Sequence, residues 1–154
     1  MRTVYTAKDT VEGSSVVERG LVYGLANYIN DSDLYAGNNN KYVKTYAATN
    51  AGNLGKNLST KISNGNSFAM TMKFSSFTVT EFNTSWKIRA YAKLANGITV
   101  YTNVATYQIF DVASKLYDSS LMQNSIGHEY LYDTILTKVN PSYKKVEYTG
   151  SMVN

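Results

Sequence analysis

The sequence predicts a mainly β protein: an antiparallel β-sandwich over residues 1–108, followed by a short two-helix appendage over residues 109–154. Three observations support this fold class. Short segments of alternating apolar and polar residues recur through the first part of the chain, and Gly and Asn clusters separate them. After Ile109 the apolar period changes from two to about 3.6 residues. The 154 residues are enough to bury a core without disulfide bonds or a bound metal, and the chain has no cysteine.

About seven short strands are predicted from the alternation and the intervening turns. They span residues 2–7, 16–23, 41–48, 58–63, 67–74 and 77–82, and a hairpin over residues 85–109 completes the set. Gly20 interrupts the second strand, which indicates a bulge or a close approach of another backbone. Residues 24–40 carry two Asn-rich turn clusters and are predicted to form a long connection.

The hairpin has the clearest alternation, and Asn96-Gly97 marks its turn. A three-residue loop, residues 95–97, with Gly97 left-handed would pair Leu94 with Ile98 and collect the apolar residues on one face. The predicted core face consists of Trp86, Ile88, Ala90, Ala92, Leu94, Ile98, Val100 and Val104.

The opposite face of the hairpin is the candidate binding face. It comprises Lys87, Arg89, Tyr91, Lys93 and Tyr101. Tyr91 and Tyr101 should be cross-strand neighbours, and aromatic rings flanked by cations can stack on sugars or meet an acidic partner. The alternative is a solvated face on which the tyrosine pair only stabilises the hairpin.

The helical appendage is predicted from capping residues and an apolar stripe. Asp111 is a candidate N-cap for a helix through Tyr117. Asn124 or Ser125 is a candidate N-cap for a second helix, which should end before Pro141. The stripe of the second helix consists of Ile126, Tyr130, Leu131, Ile135 and Val139. Residues 144–148 are predicted to form a last strand.

Three segments carry a family resemblance: TSWKIRAYA (residues 84–92), TVYTNVATY (residues 99–107) and VVERGLVYG (residues 16–24). The first two are similar to the last two strands, and the third to an earlier strand, of bacterial fibronectin type III-like or immunoglobulin-like surface domains of Gram-positive anaerobes. IFDVASKLY and HEYLYDTIL look like the helical ends of such modules. The family usually has Tyr where this chain has Trp86, so the indole would anchor the corner by packing. The resemblance implies an immunoglobulin-like sandwich with a non-catalytic role.

No residue pattern predicts catalysis, a cofactor or a metal site. His128 is the only histidine and lies in a predicted helix, which favours a structural or surface role. Asn30, Asp31 and Asp33 offer oxygen ligands but lack the spacing of an EF-hand, so a polar turn is predicted. We expect a protein that is not an enzyme.

The sequence therefore predicts a structural or interaction module for adhesion, display or assembly, located on a cell surface as part of a longer protein. A virion structural protein is the alternative, favoured by the initiator-like Met1, the absence of an export signal and terminal strands that could extend a neighbour's sheet. A carbohydrate-binding module is the third hypothesis. The predicted partner is a protein or a second copy bound at sheet edges. An anionic surface polymer or glycan is a further partner, because residues 34–110 carry eight basic and one acidic residue. Nucleic-acid binding and membrane insertion are not predicted.

Overall fold

The computed structural model describes residues 2–48, 65–71, 76–119 and 126–146, and there the chain is mostly antiparallel β-sheet with a few short helices. It divides into two compact units. One comprises Met1–Ser76 and Lys87–Thr106, and the other comprises Phe77–Trp86 and Tyr107–Asn154. The predicted domain boundary between residues 108 and 109 stays a prediction.

Eight strands lie in the described residues. They are β1 (Arg2–Lys8), β2 (Thr10–Val11), β3 (Ser14–Leu25), β4 (Lys44–Ala48), β5 (Gly65–Thr71), β6 (Ser85–Leu94), β7 (Thr99–Tyr101) and β8 (Ala105–Gln108). β1 and β5 pair as a two-stranded antiparallel sheet. The other strands form a six-stranded sheet in which β3 and β6 are neighbours, β2 and β4 pair with β3, and β7 and β8 pair with β6. The mainly β, antiparallel class is confirmed. The sheet is open, and an immunoglobulin-like sandwich stays a prediction.

The predicted register of the hairpin is confirmed. Tyr91 lies opposite Tyr101 and Ala92 opposite Val100. The Leu94 N–H donates to the Ile98 carbonyl at 2.8 Å, and Gly97 has φ +87°. Four of the predicted core residues on β6 are buried: Ile88, Ala90, Ala92 and Leu94. The alternation therefore predicted the inner face of this strand correctly.

The predicted core face is wrong at two residues of the returning strand. Ile98 is 53% exposed, because it directly follows the turn. Val104 packs against the buried cluster that contains Tyr91, on the opposite face of the hairpin. The reason is an interruption at Thr102, whose Oγ1 accepts the Ala90 N–H at 3.0 Å in place of a backbone carbonyl. The strand stops at Tyr101 and resumes as β8, so the alternation does not continue to Val104.

Other predicted strands agree with the structure to different degrees. The strands at 2–7, 16–23, 41–48 and 67–74 correspond to β1, β3, β4 and β5. Residues 58–63 and 72–74 lie outside the described residues. The strand predicted at 77–82 is wrong, because this segment begins helix α1. The predicted last strand is not formed at residues 144–146, and residues 147–148 lie outside the described part.

The second unit contains short helices. They are α1 (Val79–Asn83), α2 (Ile109–Tyr117), α3 (Ile126–Leu131), a π-helical turn (Tyr132–Leu136) and α4 (Thr137–Val139). Among its described residues, those that are buried are Phe82, Ile109, Ala113, Tyr117, His128, Ile135 and Leu136. α2 begins two residues before the predicted N-cap Asp111, with Gln108 as its N-cap. α4 ends before Pro141, as predicted.

The predicted apolar stripe of the second helix is wrong in its first half. Ile126 and Tyr130 are exposed, whereas Ile135 is buried. The π-helical turn explains the difference, because the Thr137 N–H donates to the Tyr132 carbonyl five residues earlier. A wider turn rotates the residues before it relative to a 3.6-residue period.

Candidate functional site: the 26–43 connection

The outer face of the hairpin is covered by residues 26–43, which we call the 26–43 connection. Tyr91, predicted to be part of a binding face, is only 2% exposed. Its ring belongs to a buried cluster with Val22, Ile29, Leu34 and Val43, the last three of which come from the connection. The connection therefore forms an apolar layer over Tyr91, and a ligand cannot stack on this ring.

Three of the predicted binding residues hold the connection in place. Lys87 Nζ lies 2.7 Å from Asp31 Oδ1 and 3.5 Å from the Ile29 carbonyl oxygen. Arg89 Nε donates to the carbonyl of Leu34. The Tyr101 hydroxyl accepts the Ala36 N–H at 3.1 Å.

The tyrosine pair of the hairpin is also present as predicted. The rings of Tyr91 and Tyr101 are 6.2 Å apart, and the Arg89 guanidinium lies 4.1 Å from the centre of the Tyr101 ring. The Tyr91 hydroxyl donates to Glu18 Oε1 at 2.7 Å. Burial raises the pKa of Tyr91 well above its usual range, and the Glu18 carboxylate raises it further.

Lys93, the fifth predicted residue, is exposed. The structure thus brings the five residues onto one face of the hairpin, but it places Tyr91 beneath the connection. A binding role for this set stays a prediction.

The connection is fixed internally by side chains of the two predicted turn clusters. The Asn30 N–H donates to Asp33 Oδ2 at 2.7 Å. Further along, the Asn40 N–H donates to Asn38 Oδ1 at 2.8 Å, and the Tyr42 N–H donates to Asn40 Oδ1 at 3.0 Å. Short polar side chains that accept from the backbone two residues on are typical of Asx-turns. The turn prediction is confirmed, and these bonds set the position of Tyr42.

The connection exposes tyrosines that the sequence interpretation did not select. Tyr28 is 54% exposed and Tyr42 is 40% exposed. Their rings stack at 4.5 Å with an interplanar angle of 13°, and Lys41 Nζ lies 4.9 Å from the centre of the Tyr42 ring. Tyr35 is exposed between them in the sequence. The sequence signal for these tyrosines is the even spacing of residues 28, 35 and 42 through an Asn-rich segment.

His128 and Tyr117 form the buried centre of the second unit. The two rings stack at 3.8 Å, and His128 Nε2 lies 3.1 Å from the Tyr117 carbonyl oxygen. The Tyr117 hydroxyl accepts the Val146 N–H at 2.9 Å, and burial raises its pKa. This position fits the structural role predicted for His128.

At the predicted polar turn, Asp31–Asp33 forms one turn of 3-10 helix with Asn30 as its N-cap. Its carboxylates contact Lys87 Nζ and the Asn30 N–H. Within the described ranges, no group of three or more His, Cys, Asp and Glu residues could hold a metal ion. The helices in the same ranges are too short or too polar to cross a membrane. Comparisons with family models, curated proteins and solved structures found no match.

Proposed function

We propose that this chain is a non-catalytic interaction module of a bacterial surface protein, and that the 26–43 connection is its recognition surface. The observation that carries the proposal is the exposed Tyr28–Tyr42 stack on a connection held by Lys87, Arg89 and Tyr101. Tyrosine gives a large contact area at a low entropy cost because it has few rotatable bonds. A surface that is already ordered before binding loses less entropy when a partner is bound.

Composition and resemblance support the same proposal. The connection combines Tyr with Asn, Ser and Gly, the residue types that binding loops use for aromatic contact and adaptable hydrogen bonding. VVERGLVYG and TSWKIRAYA resemble strands of immunoglobulin-like surface domains. The open, mostly antiparallel sheet is compatible with such a sandwich, which we propose as the complete fold.

Binding of the fluorescently labelled chain to intact Gram-positive anaerobes and to their isolated envelopes tests the proposal. We expect saturable binding that falls about tenfold or more in the double variant Tyr28→Ala, Tyr42→Ala. Tyr130→Ala is the matched control, because this tyrosine is exposed on α3 in the other unit. The absence of saturable binding, or an equal loss in both variants, would overturn the proposal.

Assembly is the second candidate function, and strand β4 favours it. Among the described residues β4 pairs only with β3, and Thr45, Tyr46 and Ala47 are exposed. An edge strand of this kind can extend the sheet of a second copy, as a virion protein would require. Size-exclusion chromatography with light scattering over a wide concentration range decides the matter: a concentration-dependent oligomer supports assembly, and a constant monomer contradicts it.

A further inference from the structure

We infer that the Tyr28–Tyr42 stack is a glycan-binding site and that its ligand is an acidic polysaccharide containing uronic acid. This inference rests on the proposed function and adds the chemical class of the ligand. It also changes the location of the predicted carbohydrate site, because the tyrosines selected from the sequence, Tyr91 and Tyr101, lie under or beside the 26–43 connection.

The geometry leaves one aromatic face available. Tyr42 has Tyr28 on one side at 4.5 Å, and the Lys41 ammonium, 4.9 Å from the ring centre, lies toward the other. Tyr28 is 54% exposed although Tyr42 covers one face of its ring. The opposite face of Tyr28 is therefore the stacking surface. The apolar C–H face of a pyranose ring packs on such a surface, and the phenolic hydroxyl remains at the edge for hydrogen bonding.

The charges around the stack favour an acidic sugar. Lys41 and Lys44 are both exposed and flank Tyr42 in the sequence. The acidic residues of the connection are Asp31, paired with Lys87, and Asp33, which accepts the Asn30 N–H. Asp31 is thus offset by Lys87 rather than by Lys41 or Lys44. A sugar ring on the open face of Tyr28 lies on the opposite side of the two-ring stack from Lys41, so a single sugar does not reach that ammonium. A chain of several uronic acids bound along the stack would bring the carboxylate of a neighbouring sugar to the lysines.

The chain titrated with oligogalacturonate by isothermal calorimetry tests the ligand class. Maltooligosaccharide of equal length is the neutral sugar, poly-L-glutamate is the anion without a sugar, and single-stranded oligo(dT) is the anionic polymer with stacking bases. We expect oligogalacturonate to bind more tightly than all three. Tyr28→Ala should weaken this binding about tenfold, and Tyr28→Phe should retain most of it because the ring is kept.

The contribution of the Lys41 charge is tested with a separate variant. Lys41→Gln should weaken oligogalacturonate binding about threefold and leave maltooligosaccharide binding unchanged, since an exposed ion pair contributes little. Lys115→Gln, which removes an exposed lysine from α2 in the other unit, is the control and should bind as the wild type does. Circular dichroism of each variant confirms that it is folded.

Four results would overturn the inference: equal binding of maltooligosaccharide, equal binding of poly-L-glutamate, equal binding of oligo(dT), or unchanged affinity in Tyr28→Ala. Failure of the inference differs from failure of the proposed function. If envelope binding depends on the tyrosines but resists both periodate treatment of the envelope and excess oligogalacturonate, the ligand is not a glycan and the interaction module stands. If neither envelope nor glycan binds, both proposals fail.

Discussion

Gly20 is a position where β3 packs closely against its neighbours. A Cβ atom added at this position would lie 2.5 Å from Cε1 of the Tyr91 ring and would clash with the backbone oxygen of Tyr46. Neither neighbour is free to move, because Tyr91 is buried and Tyr46 belongs to the paired strand β4. We therefore predict that Gly20→Ala lowers the free energy of unfolding by about 1–3 kcal/mol, measured by urea denaturation.

A substitution on the exposed side of the same strand provides the control. Val17 is exposed, so Val17→Ala should change the free energy of unfolding by less than about 0.5 kcal/mol. Equal stability of Gly20→Ala and Val17→Ala would contradict the close packing of β3 against Tyr91.

Gly20 and Tyr91 show what a sequence pattern can and cannot predict. The interruption at Gly20 correctly predicted a close backbone approach, since a glycine within a strand often marks a site where another chain segment comes near. The burial of Tyr91 could not be predicted in this way. Alternation identifies the residues that share a face with Arg89 and Tyr101, but it does not identify what covers that face. The covering layer comes from a connection about 60 residues earlier in the chain, for example Ala36, which bonds to Tyr101 at a separation of 65 residues.

The 26–43 connection is held in place by a few polar contacts from the hairpin. Arg89 donates to the Leu34 carbonyl and lies over the Tyr101 ring. We predict that Arg89→Ala accelerates amide hydrogen exchange across residues 29–36, because both contacts are removed together. The free energy of unfolding should fall by about 1–3 kcal/mol, since a buried carbonyl loses a charged donor.

Lys93→Ala is the matched control for this element, because Lys93 belongs to the same strand and is exposed. Exchange in the connection should be unchanged in this variant. Slow exchange across residues 29–36 in Arg89→Ala would show that the apolar cluster alone orders the connection.

Helix α1 depends on a capping box that the strand prediction overlooked. The Glu81 N–H donates to Thr78 Oγ1 at 3.2 Å, and the Thr78 N–H donates to Glu81 Oε2 at 2.8 Å. We predict that Thr78→Ala lowers the free energy of unfolding by about 1 kcal/mol, because α1 has few residues to compensate for the lost cap. Thr80→Ala is the control within the helix. Equal urea midpoints for the two variants would contradict the role of the cap.

The elements also show which physical signals were sufficient for prediction. The hairpin register followed from a local turn and an apolar face, both encoded within 25 residues. Residues 77–82 alternate like a strand, yet the Thr-x-x-Glu spacing from Thr78 to Glu81 favours a helix start, and the helix is what forms. Trp86 then packs on Phe77 at 5.6 Å and donates its indole N–H to the Glu81 carbonyl at 3.2 Å. Packing by Trp86 was predicted, but its hydrogen bond depends on α1 and could not be.

At the scale of the whole molecule, sequence order does not give the division into units. The second unit combines Phe77–Trp86 with the chain from Tyr107 onward, so strands β6 and β8 both continue across the division. A change of period near Ile109 correctly marks the start of α2, but it carries no information about α1, which lies about 30 residues earlier. Segments separated in sequence form one core, and only the tertiary structure shows which ones.

Buried tyrosines give the molecule a predictable sensitivity to alkaline pH. Burial raises the pKa of Tyr91 and of Tyr117, one in each unit. In the unfolded chain both hydroxyls lose their protons at about pH 10, whereas in the folded chain they retain them. Between these pKa values the folded state binds more protons, so stability is fully present below about pH 10 and falls as the pH rises. Each tyrosine contributes a loss of at most about 1.4 kcal/mol per pH unit.

Urea unfolding at pH 8, 10 and 11 measures this dependence. We predict that Tyr91→Phe is less stable than the wild type at pH 8, because the hydrogen bond to Glu18 is lost, but that its stability falls less steeply above pH 10. Tyr107→Phe, which removes the hydroxyl of an exposed tyrosine, is the matched control. Other groups also titrate in this range, so the slopes of the two variants are compared with each other. Equal slopes for Tyr91→Phe and Tyr107→Phe would mean that Tyr91 is accessible to solvent at alkaline pH and that the 26–43 connection opens before the rest of the molecule unfolds.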